Sequence, residues 1–186
     1  MAQALRQSRY VTLDEYLAFE NGEDGRHELV NGVIYAMTGS RPSHNRIISN
    51  LVRLLGNQVR LPCEVFSNTQ KLLVKTDLTE DVFYPDVFMT CTESDRTDIF
   101  REHPCVIFEV LSPSTERDDR TGKLASYKTI DALETYVLVA QDMWHIEIFE
   151  RANGWRPRLL GDDETLSVCG GKAGFNGDQI YDEIRF

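Results

Sequence analysis

The sequence predicts an α/β domain in which a mixed central β-sheet is flanked by helices, with an extra helix and hairpin ahead of it and antiparallel strands behind. Two nearly continuous apolar runs, residues 105–111 and 134–140, have the pattern of strands buried on both faces. The helix-forming stretch between them makes a parallel crossover the expected connection. Residues 44–60 repeat apolar side chains with a period near 3.6, the mark of a helix laid on a core. Residues 144–150 alternate apolar and polar side chains as a half-buried strand does. At 186 residues the chain has the length of one domain, 1–186, with enough material to bury a real core.

Each element has a local reason. Residues 1–9 are expected to be a flexible end. Thr12 and Glu15 have capping-box spacing, and Leu13, Tyr16 and Leu17 follow at helical intervals, so a short helix starts at Thr12. Residues 27–37 form two strands around Asn31-Gly32, a strong hairpin signal. Glu28 lies at the start of the first strand and, by position alone, reads as a solvent-facing acid. Ser43 can cap the long helix, which carries Ile47, Ile48, Leu51, Leu54 and Leu55 on one stripe. Arg46, Arg53 and Arg60 recur every seventh residue on one flank, either a solvated row or a track for a phosphate backbone. His44 falls in the first turn, facing a site or covering the helix end.

Residues 64–68 and 71–75 read as strands, and so do residues 82–90, where Pro85 cannot donate to a ladder and marks an irregularity as Asp86 enters. Residues 91–104 suit a solvated connection. After the strand at 105–111, Ser112, Pro113, Ser114 and Thr115 supply helix-start residues, and Asp118 and Asp119 suit a first turn. That helix runs to about residue 130, weakened by Gly122, with Lys123 and Tyr127 on a shared face. Asn153-Gly154 joins residues 144–150 to 155–160 as a hairpin.

Composition bounds the function. The hydrophobic share of 41% and charged share of 27% are those of a globular protein. No run is long enough to cross a bilayer and no apolar signal core opens the chain, so a cytoplasmic protein without membrane partners is expected. Cys63, Cys91, Cys105 and Cys169 contain no CxxC pair, so they read as small buried hydrophobes rather than a disulfide framework or zinc knuckle. A net charge of −10 excludes bulk coating of nucleic acid. The charge is uneven, though: residues 41–75 sum to +5 and residues 76–102 to −6, so a local basic face is compatible with an acidic protein.

The chemistry lies in two acids placed inside apolar runs, Asp86 and Glu109. A buried unpaired carboxylate costs several kcal/mol, so the chain must supply a cation, either a metal ion or one of Arg117, Arg120 and Lys123. Asp86 and Glu109 suit Mg²⁺ or Mn²⁺, which take oxygen ligands, with the Val110 carbonyl as a third donor; Lys123 would then orient or deprotonate a water. The plainer alternatives are that Asp86 ends a strand at Pro85 and that Glu109 pairs structurally with Arg120 or Lys123.

Tyr84-Pro85-Asp86 followed by Phe108-Glu109-Val110-Leu111 resembles the Pro-Asp…(Asp/Glu)-x-Lys signature of restriction-endonuclease-like nucleases. With His27-Glu28-Leu29-Val30-Asn31-Gly32, Glu109 to Thr115, Asp119-Arg120, Lys123, Tyr127 and Glu134-Thr135-Tyr136, the chain is similar to the Uma-type restriction endonucleases over residues 12 to about 142. The resemblance implies a restriction-endonuclease-like core, DNA as substrate, Mg²⁺ or Mn²⁺ as cofactor and a homodimer. It makes Asp86 and Glu109 metal ligands, Lys123 the catalytic lysine and Glu28 a supporting acid; His44, Arg120 and Tyr127 are kept as supporting or structural residues, and the arginine row gives Arg46 and Arg53 as the residues facing nucleic acid. The position two after Glu109 is Leu111 rather than lysine, so the lysine would have moved to the next helix, where Lys123 stands. Two other classes stay open: a catalytically silent binding or assembly protein on the same fold, and a hydrolase using the two carboxylates as general acid and base.

Overall fold

The computed structural model describes residues 3–4, 9–37, 39–93, 99–113 and 116–186. The strands divide into two six-stranded sheets rather than one. The first contains, in spatial order, Gln3–Ala4, Val33–Ala36, His27–Val30, Glu80–Phe83, Lys71–Lys75 and Phe100–Arg101. The second contains Pro157–Leu159, Ile146–Glu150, Thr135–Ala140, Pro104–Leu111, Val87–Thr90 and Glu64–Ser67. Both are mixed, because Lys71–Lys75 runs parallel to Phe100–Arg101 and Pro104–Leu111 runs parallel to Thr135–Ala140.

Pro85 explains the division. With no N–H to give a ladder, it interrupts residues 82–90, and the chain leaves the first sheet after Phe83 and enters the second at Val87. Tyr84, Pro85 and Asp86 form the crossing.

Side-chain alternation then sorts the apolar residues into three layers. Leu72, Val74, Phe83, Phe88, Ile107, Leu111 and Leu138 meet between the sheets, together with Tyr127 and Ile130. The opposite face of the second sheet, including Val87, Met89, Val106, Phe108 and Val110, packs on the helix Pro42–Gln58 through Ile47, Leu51 and Leu55. The opposite face of the first sheet, including Leu29, Leu73 and Val82, is covered by the helix Leu13–Glu20 through Tyr16.

The short helix begins at Thr12 with both capping-box hydrogen bonds present, as its spacing predicts. Asn31 and Gly32 both have positive φ, 50° and 73°, which lets the hairpin turn match the strand twist. The long helix is capped by Arg41 without a side-chain bond, and Pro42, not Ser43, opens it; proline fits there because a first-turn N–H needs no partner within the helix. Gln3–Ala4 pairs with the hairpin, so part of the expected flexible end is a strand.

Helix-start residues Ser114 and Thr115 lie outside the described residues. The segment after them is an α-turn Glu116–Asp118, a π-helical Asp119–Lys123 containing Gly122, and an α-turn Leu124–Tyr127. A hairpin of Leu166–Val168 with Ala173–Phe175 and a short helix Gly177–Ile180 complete the chain, neither predicted by sequence pattern.

The cysteines correct their sequence reading. Three are buried, but they are paired, Cys63 with Cys91 and Cys105 with Cys169. Their separations of 28 and 64 residues gave no motif, and only the folded chain brings the partners together. Among the described residues no helix is long and apolar enough to cross a membrane.

Candidate functional site

The crossing at Pro85 carries Asp86 to the end of the Pro104–Leu111 strand, and the two segments clasp each other. The Asp86 N–H donates to Glu109 Oε2 at 3.3 Å, while the Val110 N–H donates to Asp86 Oδ2 at 2.8 Å. His44, in the first turn of the long helix, places Nε2 3.1 Å from Asp86 Oδ1. Asp86 is therefore aimed by a proline break, a strand N–H and a helix end.

Glu109 shares its sheet face with Ile107 and Leu111, so its side chain enters the space between the sheets, where it is 3% exposed. Lys123 reaches it from the π-helical turn, with Nζ 3.0 Å from Glu109 Oε1, and the Tyr127 hydroxyl donates to the same oxygen at 3.0 Å. The same ammonium lies 3.3 Å from Glu28 Oε1 and 3.4 Å from Asp119 Oδ1. Glu28 is thus not a solvent-facing edge acid. It is buried in an interior strand, and Glu28 Oε1 also accepts the Tyr84 N–H at 3.3 Å.

Three carboxylates converge on one lysine, and a fourth, Asp86, lies beside them against Glu109 and Val110. Burial pushes the Glu109 carboxyl well up, and the nearby Asp86, Asp119 and Glu28 add to that, with Lys123 opposing it. Burial would discharge Lys123, but Glu109, Glu28, Tyr127 and Asp119 outweigh it and hold its pKa well above the ordinary lysine value. Lys123 is therefore held as a buried ammonium among these carboxylates. Burial likewise raises Tyr127 and Tyr136, so both phenols remain donors, Tyr136 to the Asp119 carbonyl at 3.0 Å.

The cluster opens into a cavity of about 540 Å³ lined by Glu28, His44, Tyr84, Asp86, Glu109, Asp119 and Lys123, with Arg26 and Arg41 contributing positive charge. The donor set is all oxygen with an excess of negative charge, which fits a hard divalent cation. Among the described residues, however, no three His, Cys, Asp or Glu side chains stand ready to hold a metal, because the carboxylates turn toward Lys123, Tyr127, His44 and backbone N–H groups. The main chain at Val110 adjoins Asp86 through its N–H.

Three predicted residues lie elsewhere. Arg120 pairs with Glu116 at 3.1 Å and with Glu147, bracing the helical segment against the second sheet. Arg46 and Arg53 are exposed and paired with the C-terminal segment, at 3.2 Å to Glu183 and 3.3 Å to Asp182, and neither is among the residues lining the cavity.

Sequence reasoning missed Asp119 and Tyr84. Asp119 looked like an ordinary first-turn acid, but it stands four residues before Lys123, a spacing that puts both on one helical face, and that spacing was the available signal. Tyr84 lines the cavity and donates its hydroxyl to the buried Glu20 at 2.6 Å, and Glu20 in turn holds His27 Nδ1 at 2.9 Å. Its place beside Pro-Asp was the available signal.

A protein of Synechocystis sp. (strain ATCC 27184 / PCC 6803 / Kazusa), the uncharacterised slr1290, is 35% identical over 177 residues, covering 93% of this chain and 92% of that one. A second from the same organism, the uncharacterised sll1609, is 31% identical over 157 residues, covering 82% and 87%. The crystal structure of a "putative nuclease belonging to DUF820" from Anabaena variabilis ATCC 29413 superposes with a TM-score of 0.73 at 16% identity, covering 92% of this chain and 97% of its own, which shows a shared fold. The model of the Uma2 family, described as "Putative restriction endonuclease", matches residues 13–177, and the chain belongs to that family.

Proposed function

We propose that this protein is a metal-dependent endodeoxyribonuclease that hydrolyses phosphodiester bonds in DNA. The observation that carries the reading is the gathering of four acids in one cavity, Glu28, Glu109 and Asp119 around the single ammonium of Lys123 and Asp86 clasped to Glu109 and Val110. So much buried negative charge calls for a further cation. Asp86 and Glu109, with the Val110 carbonyl, would hold Mg²⁺ or Mn²⁺, which when bound supplies Lewis-acid stabilisation of charge growing on the phosphoryl group.

The chain's own residues prepare that chemistry. His44 and the Val110 N–H fix the two oxygens of Asp86, and Tyr127 fixes Glu109. Glu28 and Asp119 keep Lys123 charged and in place, so its ammonium can hold an attacking water or a phosphoryl oxygen by hydrogen bonding. Arg26 and Arg41 offer charge to a polyanion entering the cavity.

The test is cleavage of supercoiled plasmid and single-stranded DNA with Mg²⁺ or Mn²⁺ by wild type, Asp86→Ala and Lys123→Ala. Cleavage by wild type that both substitutions abolish is the expected result; undiminished activity in both removes the proposal. A homodimer remains part of the reading, motivated by the restriction-like fold and tested by light scattering at micromolar protein.

One observation favours a second reading, a catalytically silent binding protein: the described carboxylates already have internal partners. Calorimetry separates the two, since a silent protein binds no Mn²⁺ through Asp86 and Glu109.

A further inference from the structure

A second cluster of reactive groups gathers where the two strands that carry the candidate site meet two other segments. Cys91 directly follows Val87–Thr90, Cys105 is the second residue of Pro104–Leu111, Cys63 precedes Glu64–Ser67, and Cys169 follows Leu166–Val168. Strand register makes them one cluster rather than two staples. Met89 pairs with Val106 but Thr90 pairs with Pro104, so Cys105 is the unmatched residue of a bulge. A bulge re-aims its side chain. Here Cys105 Sγ lies 3.3 Å from the Met89 carbonyl oxygen and 4.0 Å from Cys91 Sγ. Two disulfides thus touch, sulfur to sulfur, inside one domain.

We infer that Cys63, Cys91, Cys105 and Cys169 form a thiol–disulfide exchange centre whose substrate is a dithiol, either a small molecule or a protein. Cys91 is the least buried of the four and is the entry point. A thiolate of the dithiol attacks Cys91 Sγ, the Cys63–Cys91 bond breaks, and Cys63 leaves as a thiolate that takes a proton. The second thiol of the reductant attacks the mixed disulfide and releases Cys91, so the dithiol is oxidised to a disulfide and the protein gains two electrons.

Cys91, as thiolate, then faces Cys105 Sγ at contact distance. Its attack forms the Cys91–Cys105 bond, breaks Cys105–Cys169 and expels Cys169, which takes the proton Cys91 gave up. The chain keeps one disulfide and holds two thiols. Exchange of this kind depends on thiolate access and reach, and the bulge supplies reach. The freed Cys169 unties the hairpin Leu166–Val168/Ala173–Phe175 from the strand that bears Glu109. This centre is independent of the nuclease reading and would stand if that reading failed.

The experiment uses the full chain purified without reductant, treated with one equivalent of dithiothreitol in one arm and of a reduced CxxC dithiol protein in the other. Each sample is acid-quenched, alkylated, digested and mapped by mass spectrometry. The expected product contains a Cys91–Cys105 linked peptide with Cys63 and Cys169 alkylated, and the arm that yields it names the source of the dithiol. A Cys63→Ser variant, checked for fold by circular dichroism, leaves Cys91 permanently free; it is expected to hold both Cys91–Cys105 and Cys105–Cys169 isomers without added reductant. Passage of wild type from two disulfides to four thiols with no Cys91–Cys105 peptide overturns the inference. So does a folded Cys63→Ser variant linked only through Cys105–Cys169, or untreated protein whose four thiols alkylate at once or retain zinc.

Discussion

Glu109 and Glu147 stand in one row of the second sheet, each paired in register with Leu138 on the strand between them. One helical segment answers both, with Lys123 reaching Glu109 and Arg120 reaching Glu147. The segment is therefore anchored by two ion pairs one strand apart on either side of Leu138, and its π-helical turn lies between the anchors' demands.

Removing the inner anchor should be costly. Lys123→Ala leaves Glu109, Glu28 and Asp119 facing one another without their ammonium, and breaking such a buried pair costs about 3–5 kcal/mol. Urea denaturation should show that loss, and Glu109→Gln added to Lys123→Ala should recover part of it. An additive double mutant contradicts the pairing.

Tyr127→Phe removes one hydrogen bond to Glu109 and no bulk. A loss of about 1–3 kcal/mol is expected for a bond to a charged acceptor, together with DNA cleavage reduced several-fold but not abolished. Wild-type cleavage and wild-type stability together would show that the phenol does not hold Glu109.

The outer anchor predicts a pH dependence. Burial works to raise the Glu147 carboxyl, but hydrogen bonds from His145 and Arg120 outweigh it and hold the group below its ordinary value of 4.5. The unfolded chain then binds more protons than the folded one, so this stabilisation is present above the ordinary value and is lost as pH falls through the lower folded value. Because Arg120 is 30% exposed, the contribution is about 1 kcal/mol. Melting curves from pH 7 down to about pH 3 should fall more steeply for wild type than for Glu147→Gln.

Divalent cations should raise the melting temperature by relieving the carboxylates. At a hundredfold excess over the dissociation constant, Mg²⁺ or Mn²⁺ should add about 2.7 kcal/mol, reversed by a chelator. Asp86→Asn combined with Glu109→Gln should abolish the shift. A shift that survives in that double mutant points to a different site.

The arginine row of the long helix should matter little. Arg46→Ala with Arg53→Ala breaks two exposed pairs to Glu183 and Asp182, so stability should change by less than about 1 kcal/mol. The salt dependence of oligonucleotide binding should be nearly unchanged, whereas Arg41→Ala, in the cavity lining, should lower the slope by about 1. The reverse pattern returns the row to the nucleic-acid face.

Short-range chemistry was legible along the chain. The capping box at Thr12 and Glu15, the Asn31-Gly32 turn and the stripe from Ile47 to Leu55 depend on neighbours within a few residues, and each forms as its spacing predicts. Glu28 could not be read the same way, because its burial depends on Glu80–Phe83 lying beside its strand, some fifty residues on. The cysteine pairs failed for that reason too.

By itself the sequence determined that two acids would be sunk in apolar β-structure, that a proline would break the chain beside one of them, and that a lysine would follow on a helix. These depend on local pattern, since alternation and the missing proline N–H act wherever the chain goes. Only the tertiary structure decided that Glu28 and Glu109 meet at Lys123 with Asp86 alongside, that Arg46 and Arg53 face the C-terminal segment, and that four cysteines meet. Each is a contact between segments distant in sequence, and charge or sulfur finds its partner only after those segments have packed.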